Sequence, residues 1–313
     1  MKQLWRMAGL IIAMGLMAYF FWFAWRNLDP RLLAATLKQP GTLLAVFVAT
    51  LCYMTIYPAT GFAWRQLLLQ QRQPNPAGAL TRLISIAQLA KYIPGNIAQH
   101  AGRAALAFKR GIPLQAYVAS VLQETLLASA ASIIVGVLLL SITPAAANLG
   151  EYRWLLLALL GGSIGVTLLL CIRLPPFDGA GLAARALRII GGLPGPSATL
   201  LALAAYICNY LMIGLGVWLL AVALGLADSI DYPLATAAFA LSWILGFLAP
   251  GTPAGLGARE GIMTLILVGH GNSHQIVQLV LLARVTSMCG DLLSFLVATL
   301  LPSPPTQKPA TPS

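Results

Sequence analysis

The feature that most constrains this chain is a series of apolar stretches, each long enough to cross a lipid bilayer, that follow one another almost from end to end. A membrane-spanning helix needs about 20 consecutive apolar residues. Because 59% of the 313 residues are hydrophobic and only 9% are charged, the composition excludes both an ordinary soluble domain and a disordered chain. The sequence therefore predicts an all-α polytopic membrane protein, with spans at residues 7–25, 41–64, 113–141, 154–172, 198–226 and 276–301.

Two further apolar regions are interrupted by Pro-Gly sequences. Residues 79–110 contain Pro94-Gly95, and residues 234–270 contain Pro250-Gly251. Proline removes a backbone hydrogen-bond donor, and irregular backbone survives at membrane depth only where protein or a water-filled cavity covers it. Each region is therefore predicted to form a re-entrant helical hairpin that enters the membrane and returns to the same side. A pair of kinked spans or interfacial helices is the alternative.

The broken regions belong to a predicted internal repeat. In both, an arginine follows the Pro-Gly pair, and Arg103 and Arg259 are 156 residues apart. The same offset carries the second span onto the fifth and the third span onto the sixth. Residues 1–150 and 151–301 are therefore predicted to be two repeats, followed by a Pro-rich tail at 302–313. Each repeat has three crossings, so the two would be inverted, as in many secondary transporters whose binding site lies near the membrane midplane.

The distribution of basic residues predicts that both termini are cytoplasmic. Membrane proteins carry an excess of Lys and Arg in their cytoplasmic loops. With the N-terminus inside, the external loops receive only Arg26, Arg31, Lys38 and Arg153. The cytoplasmic side receives Lys2, Arg6, Arg65, Arg72, Arg82, Lys91, Lys109, Arg110, Arg173, Arg185, Arg188 and Lys308. The net charge of +11 therefore indicates loops that face anionic lipid, and no nucleic-acid partner is expected.

Six ionisable residues are predicted to lie at membrane depth: Arg103, Arg259, Arg284, Glu124, Glu260 and Asp291. A charge at the bilayer centre costs about 2.5–3.5 kcal/mol on insertion scales, so such residues usually face a cavity and pair with one another. Three bases and three acids allow a neutral network. Bracing of the fold is the favoured role for Glu124, Arg284 and Asp291, and coupling of transport to a proton or another ion is the alternative. For the two matched arginines, bracing and substrate binding have equal weight.

The two hairpins also suggest an anion site. Helix N-termini and arginine side chains both suit phosphate or carboxylate groups. His100 could donate as well, although a packing role is the more usual one for a lone histidine. The predicted headgroup site comprises Arg103, Arg259, Pro94, Gly95, Asn96, His100, Gly255, Gly257 and Glu260.

The sequence lacks recognisable catalytic motifs. It contains no HExxH zinc-protease motif and no Gly-rich nucleotide loop that ends in Lys-Ser or Lys-Thr. The four cysteines are isolated and show no metal-ligand spacing. We therefore expect no enzyme activity, no metal and no cofactor.

Two motifs resemble those of a known family. Lys91-Tyr92-Ile93-Pro94-Gly95, continuing to Gly102-Arg103, resembles the KYIPG…GR motif of the lysylphosphatidylglycerol synthase transmembrane-region family. Residues 252–260 resemble its TPGGLGxxE motif, with Ala254 in place of the first glycine of the usual pair. The resemblance implies translocation of a phospholipid or a polyprenyl-linked lipid in the bacterial inner membrane. Without a soluble synthase domain, the chain is expected not to make an aminoacylated lipid itself.

Three functions remain open at this point. The leading hypothesis is a flippase that moves an anionic lipid or lipid-linked headgroup between leaflets. The second is a membrane enzyme that acts on a lipid headgroup, with Glu124 or Glu260 as acid or base. The third is a non-transporting scaffold for a lipid-synthesis enzyme.

Overall fold

The computed structural model describes residues 22, 30–92, 97–144, 150–151, 153–172, 193–249 and 255–300. Within these ranges the regular structure is entirely helical. The first predicted span at 7–25, apart from Trp22, and the tail at 302–313 lie outside the described residues. The described part agrees with the prediction of an all-α polytopic membrane protein.

Four helices form the first part of the described chain. They are α1 (Pro30–Leu37), α2 (Pro40–Met54), α3 (Ile56–Gln70) and α4 (Ala77–Gln88). The last continues into a 3-10 turn at Leu89–Tyr92. Pro58 cannot donate a backbone hydrogen bond to the preceding turn, and α2 and α3 meet at a break at Thr55.

Seven further helices follow. They are α5 (Ile97–Lys109), α6 (Leu114–Ser141), α7 (Arg153–Cys171), α8 (Gly195–Ala223), α9 (Tyr232–Leu248), α10 (Ala258–Leu267) and α11 (Ser273–Leu300). Asp231 caps the N-terminus of α9, where its carboxylate accepts a hydrogen bond of 2.8 Å from the backbone N–H of Leu234. Such caps satisfy donors that have no partner within the helix.

Five segments are long and apolar enough to cross a membrane: Pro40–Gln70, Leu114–Ser141, Arg153–Cys171, Gly195–Ala223 and Ser273–Leu300. They occupy the regions in which the sequence predicts the second to sixth spans. The 31 residues of Pro40–Gln70 exceed the predicted segment at 41–64, because α3 continues beyond Trp64.

The two predicted hairpin regions contain shorter helices. At a rise of about 1.5 Å per residue, α4, α5 and α10 are each too short to cross a hydrocarbon core of about 30 Å. The Pro-Gly segments that follow the 3-10 turn and α9 lie outside the described residues. Among the described residues six helices precede α7 and four follow it; the repeat and the inverted relation between the halves stay predictions.

Helices from the two halves pack against one another. Helix α8 contacts α2, α3 and α6, helix α9 contacts α6, and α11 contacts α2 and α4. A close approach occurs where Gly216 of α8 meets Ala49 of α2, because a Cβ at Gly216 would lie 3.0 Å from the Cα of Ala49. Small residues allow this kind of backbone contact between membrane helices. The core therefore joins both halves.

Candidate functional site

A cavity of about 220 Å³ lies between helices from both halves of the chain. Side chains from α2 to α6 line it on one part of the wall, and α8, α9 and the start of α10 complete it. The lining combines charged groups, hydroxyl groups and aromatic rings inside an otherwise apolar protein. Its polar and aromatic members include Tyr53, Tyr57, Thr60, Lys91, His100, Arg103, Glu124, Tyr206, Asn209, Tyr210, Phe239, Trp243, Phe247 and Arg259.

Tyrosines on two long segments form much of the polar lining. Tyr53 and Tyr57 are four residues apart across the α2–α3 break, and Tyr206 and Tyr210 are four apart on α8. Residues at this spacing share one face of a helix. The sequence analysis did not include these tyrosines in the site. Their spacing of four residues within apolar spans would have indicated a common polar face.

Arg103 and Glu124 form a buried ion pair in the cavity wall. Arg103 Nη1 and Nη2 donate to Glu124 Oε1 at 2.7 Å and Oε2 at 2.5 Å. This two-pronged geometry matches a guanidinium to a carboxylate. The guanidinium carbon also lies 3.9 Å from the centroid of the Trp64 ring. The pair connects α5 to α6, and it neutralises the charge of Arg103 within the protein.

Arg259 lines the same cavity in a different environment. Its guanidinium carbon lies 4.4 Å from the centroid of the Phe239 ring, which is a cation–π contact. The described part of the chain contains three ion pairs, none of which includes Arg259. No described carboxylate therefore forms an ion pair with this guanidinium. The position of Arg259 also depends on Gly246 of α9, where a Cβ would lie 3.0 Å from the Cβ of Arg259.

Asp291 accepts three polar contacts in the protein interior. Its side chain is fully buried and accepts from Lys91 Nζ at 2.7 Å, from the hydroxyl of Tyr92 at 2.5 Å and from the hydroxyl of Tyr57. These contacts join the 3-10 turn of the first hairpin region to α11 and α3. The sequence analysis counted Lys91 among the basic residues of the cytoplasmic side, and the structure pairs it with Asp291.

Glu260 serves two partners outside the main cavity. Its carboxylate accepts a hydrogen bond of 2.7 Å from the backbone N–H of Gly257, at the N-terminus of α10. It also pairs with Arg284 Nη1 of α11 at 3.2 Å. Both acid and base line a smaller cavity of about 20 Å³ that Arg259 shares. Glu260 thus occupies the helix N-terminus that the sequence analysis assigned to an anionic ligand.

The charged groups of this region do not sum to zero. Four bases take part, namely Lys91, Arg103, Arg259 and Arg284, against the three acids Glu124, Glu260 and Asp291. The predicted network of three bases and three acids is therefore not the one observed, because Lys91 is a fourth base and forms the ion pair with Asp291. Arg284 and Asp291, which the spacing places on one helix face, pair with different partners. One positive charge remains, at Arg259.

The predicted headgroup residues fall into three groups. Arg103, Arg259, His100 and Gly255 line the main cavity. Gly257 and Glu260 lie at the start of α10 and not in that lining; Gly257 has a φ of 80°, a conformation that glycine adopts without strain. Pro94, Gly95 and Asn96 lie outside the described residues, as does Ala254.

The chemistry available in the main cavity suits an anion. Arginine binds phosphate and carboxylate through its planar set of donors. The hydroxyl of Tyr53 accepts from Lys91 Nζ at 3.4 Å and so keeps its own proton available to donate. Over the residues that the structure describes, no three His, Cys, Asp or Glu side chains come together as metal ligands.

Comparison with known proteins identifies the family. Residues 6–294 match the family model described as the lysylphosphatidylglycerol synthase TM region. No curated protein matches the chain. The family match includes the cavity and all the ion pairs described above, and it agrees with the resemblance that the two motifs indicate. The chain therefore belongs to the lysylphosphatidylglycerol synthase transmembrane-region family, a membrane family related to lipid handling.

Proposed function

We propose that this protein is a transporter that moves an anionic lipid or lipid-linked headgroup between the leaflets of a bacterial inner membrane. Both termini would lie in the cytoplasm, as the distribution of Lys and Arg predicts. The family match to a lipid-related membrane region supports a lipid as the partner.

One observation carries this proposal, namely the charge of Arg259 in the cavity. Arg259 is partly buried beside an aromatic ring, and an ionisable side chain within a membrane protein normally has a partner. Arg259 has no carboxylate partner among the described residues. An anionic headgroup in the cavity would supply the missing charge, and the Phe239 ring beside the guanidinium would exclude water from that contact.

The cavity wall also offers a place where acyl chains can remain in lipid. Phe247 lines the cavity and is 46% exposed. Its ring stacks on that of Trp243, with the ring centroids 5.5 Å apart. A volume of about 220 Å³ corresponds to about seven waters at about 30 Å³ each, which accommodates a headgroup but no acyl chain. The chains would pass this aromatic pair to reach the membrane.

Transport without chemical change fits the carboxylates of the site better than catalysis. A general acid or base must be positioned within reach of the proton that it transfers, and a carboxylate held by an arginine would have to leave that partner to reach a substrate. Glu124 is held by two hydrogen bonds from Arg103, and Glu260 is held by Gly257 and Arg284. Both acids that the enzyme hypothesis requires are therefore engaged.

Reconstituted vesicles provide the test. Purified protein is placed in vesicles that contain fluorescent phosphatidylglycerol, with and without a pH gradient, and a membrane-impermeant quencher reports the lipid in the outer leaflet. We expect the wild-type protein to accelerate leaflet exchange and Arg259→Gln to abolish the acceleration. Arg153→Gln is the matched control, because Arg153 is exposed at the start of α7.

Recovered lipid is then examined by mass spectrometry. Exchange of unchanged lipid supports transport, whereas a chemically modified lipid would identify an enzyme. Full exchange activity in Arg259→Gln would contradict the role of Arg259, and a wild-type protein with neither activity would indicate a scaffold.

A further inference from the structure

We propose that Glu124 determines how many negative charges the transported headgroup carries, and that it limits the cavity to a lipid phosphodiester with a single net charge. This inference rests on the proposed function, and it concerns the selectivity of the same site. Glu124 would act through Arg103, whose charge it cancels.

The first step is the charge available to a ligand. Lys91 is neutralised by Asp291, and Arg103 is neutralised by Glu124 through two hydrogen bonds. Among the lysine and arginine side chains that line the cavity, only Arg259 presents a charge that no described carboxylate matches. A ligand with one negative charge would bring this group of charges to neutrality. A phosphomonoester or pyrophosphate would leave one or more negative charges without a partner inside the cavity, which is unfavourable.

The second step is that Glu124 and Arg103 both belong to the cavity wall. If the carboxylate of Glu124 were replaced by an amide, Arg103 would face the same space as Arg259 with its charge uncompensated. Two guanidinium groups would then be available to one headgroup. Glu124 therefore occupies a place that a second anionic oxygen of the ligand would otherwise take.

The third step compares the two halves at the predicted 156-residue offset. Arg259 is the counterpart of Arg103, but the counterpart of Glu124 is Val280. Val280 lies in the wall of the small cavity that Arg259 also lines. Arg103 forms an ion pair with Glu124. Arg259 has valine at the position that corresponds to Glu124, and it forms no ion pair with a described carboxylate. The difference at one position thus accounts for a surplus of one positive charge.

Binding measurements on the full-length protein in an uncharged detergent test this inference. The probes are dihexanoyl phosphatidylglycerol, a monoanionic diester; dihexanoyl phosphatidic acid, a monoester; and farnesyl pyrophosphate. At about pH 8.5 a phosphate monoester is nearly fully doubly charged, because its second pKa is about 6. Fluorescence of the tryptophans gives the dissociation constants, since Trp243 lines the cavity.

We expect the wild-type protein to bind the diester at least about tenfold more tightly than the other two probes, and Glu124→Gln to reverse this preference. Asp228→Asn is the matched control: it changes the net charge of the protein by the same amount, but Asp228 is exposed, so the preference should remain. Val280→Glu should remove diester binding, because it supplies an internal partner for Arg259.

A charge-neutral variant covers the case in which Glu124→Gln does not fold. Arg103→Met/Glu124→Leu removes both partners, which proteins tolerate better than the loss of one, and its ratio of diester to monoester affinity should stay that of the wild type. A changed ratio in this variant would overturn the inference, as would an unchanged ratio in folded Glu124→Gln.

The outcomes for the wild-type protein separate the two proposals. Equal affinity for all three probes would overturn the charge limit and leave the transport proposal intact. Failure to bind any of the three would overturn the proposed function itself.

Discussion

Replacement of Asp291 by asparagine should destabilise the protein strongly. The side chain of Asp291 is fully buried and accepts from Lys91, Tyr92 and Tyr57. Asparagine has the same size but no charge. Its NH₂ group would also face side chains that themselves donate hydrogen bonds to Asp291, so at least one of those contacts would be lost. Breaking a buried ion pair by changing one partner costs about 3–5 kcal/mol. Because Lys91 retains 13% exposure, we expect the lower end, about 3 kcal/mol.

Titration with sodium dodecyl sulfate in mixed micelles, followed by circular dichroism, measures this loss in free energy of unfolding. Asp228→Asn is the control, with an expected change within about 0.5 kcal/mol, because an exposed side chain without special contacts contributes little. Replacing both partners, as in Lys91→Met/Asp291→Leu, should cost less than the sum of the two single changes. A change below about 0.5 kcal/mol for Asp291→Asn would refute the reasoning.

Three further predictions concern topology and the position of Arg259. Reporter fusions should place both termini in the cytoplasm, and opposite sides for the two ends would contradict the inverted repeat. Gly246→Val should abolish leaflet exchange, because its Cβ would lie 3.0 Å from that of Arg259; Gly161→Val, which has open space around it, should retain it. Gly257→Ala should lower the free energy of unfolding by about 1–2 kcal/mol, measured by the same titration, because φ is 80°; an unchanged value would show that the backbone relaxes freely.

The long helices could be predicted because the membrane imposes a simple requirement on them. A continuous apolar run must form a helix there, since every backbone group has to be satisfied internally. Helix α6 covers Leu114–Ser141, against a predicted span at 113–141, and α7 covers Arg153–Cys171, against 154–172. The bounds follow from local signals, such as Pro113 immediately before α6.

The pairing of charges could not be predicted in the same way. Spacing along one helix places Arg284 and Asp291 on a common face, but Arg284 pairs with Glu260 of α10 and Asp291 with Lys91 of the 3-10 turn. Partners on different helices depend on how those helices pack, which the hydrophobic pattern does not specify. The partner of Lys91 could not be predicted for the same reason, because the pattern around a Pro-Gly break does not reveal which helices pack against the residues before it.

The departures from the predicted repeat are what make the cavity suitable for an anion. If both halves carried the arginine and its carboxylate, the cavity would be neutral. If neither carried the carboxylate, two uncompensated positive charges would face the same cavity. The offset instead relates Glu124 to Val280, and Lys91 to Phe247 in the cavity wall. The first half thus contributes Lys91 and Arg103, which are both in ion pairs. The second half contributes Arg259, which lies beside the ring of Phe239. Two identical halves would carry the same charges, whereas these two leave a single uncompensated charge, at Arg259, for the proposed headgroup.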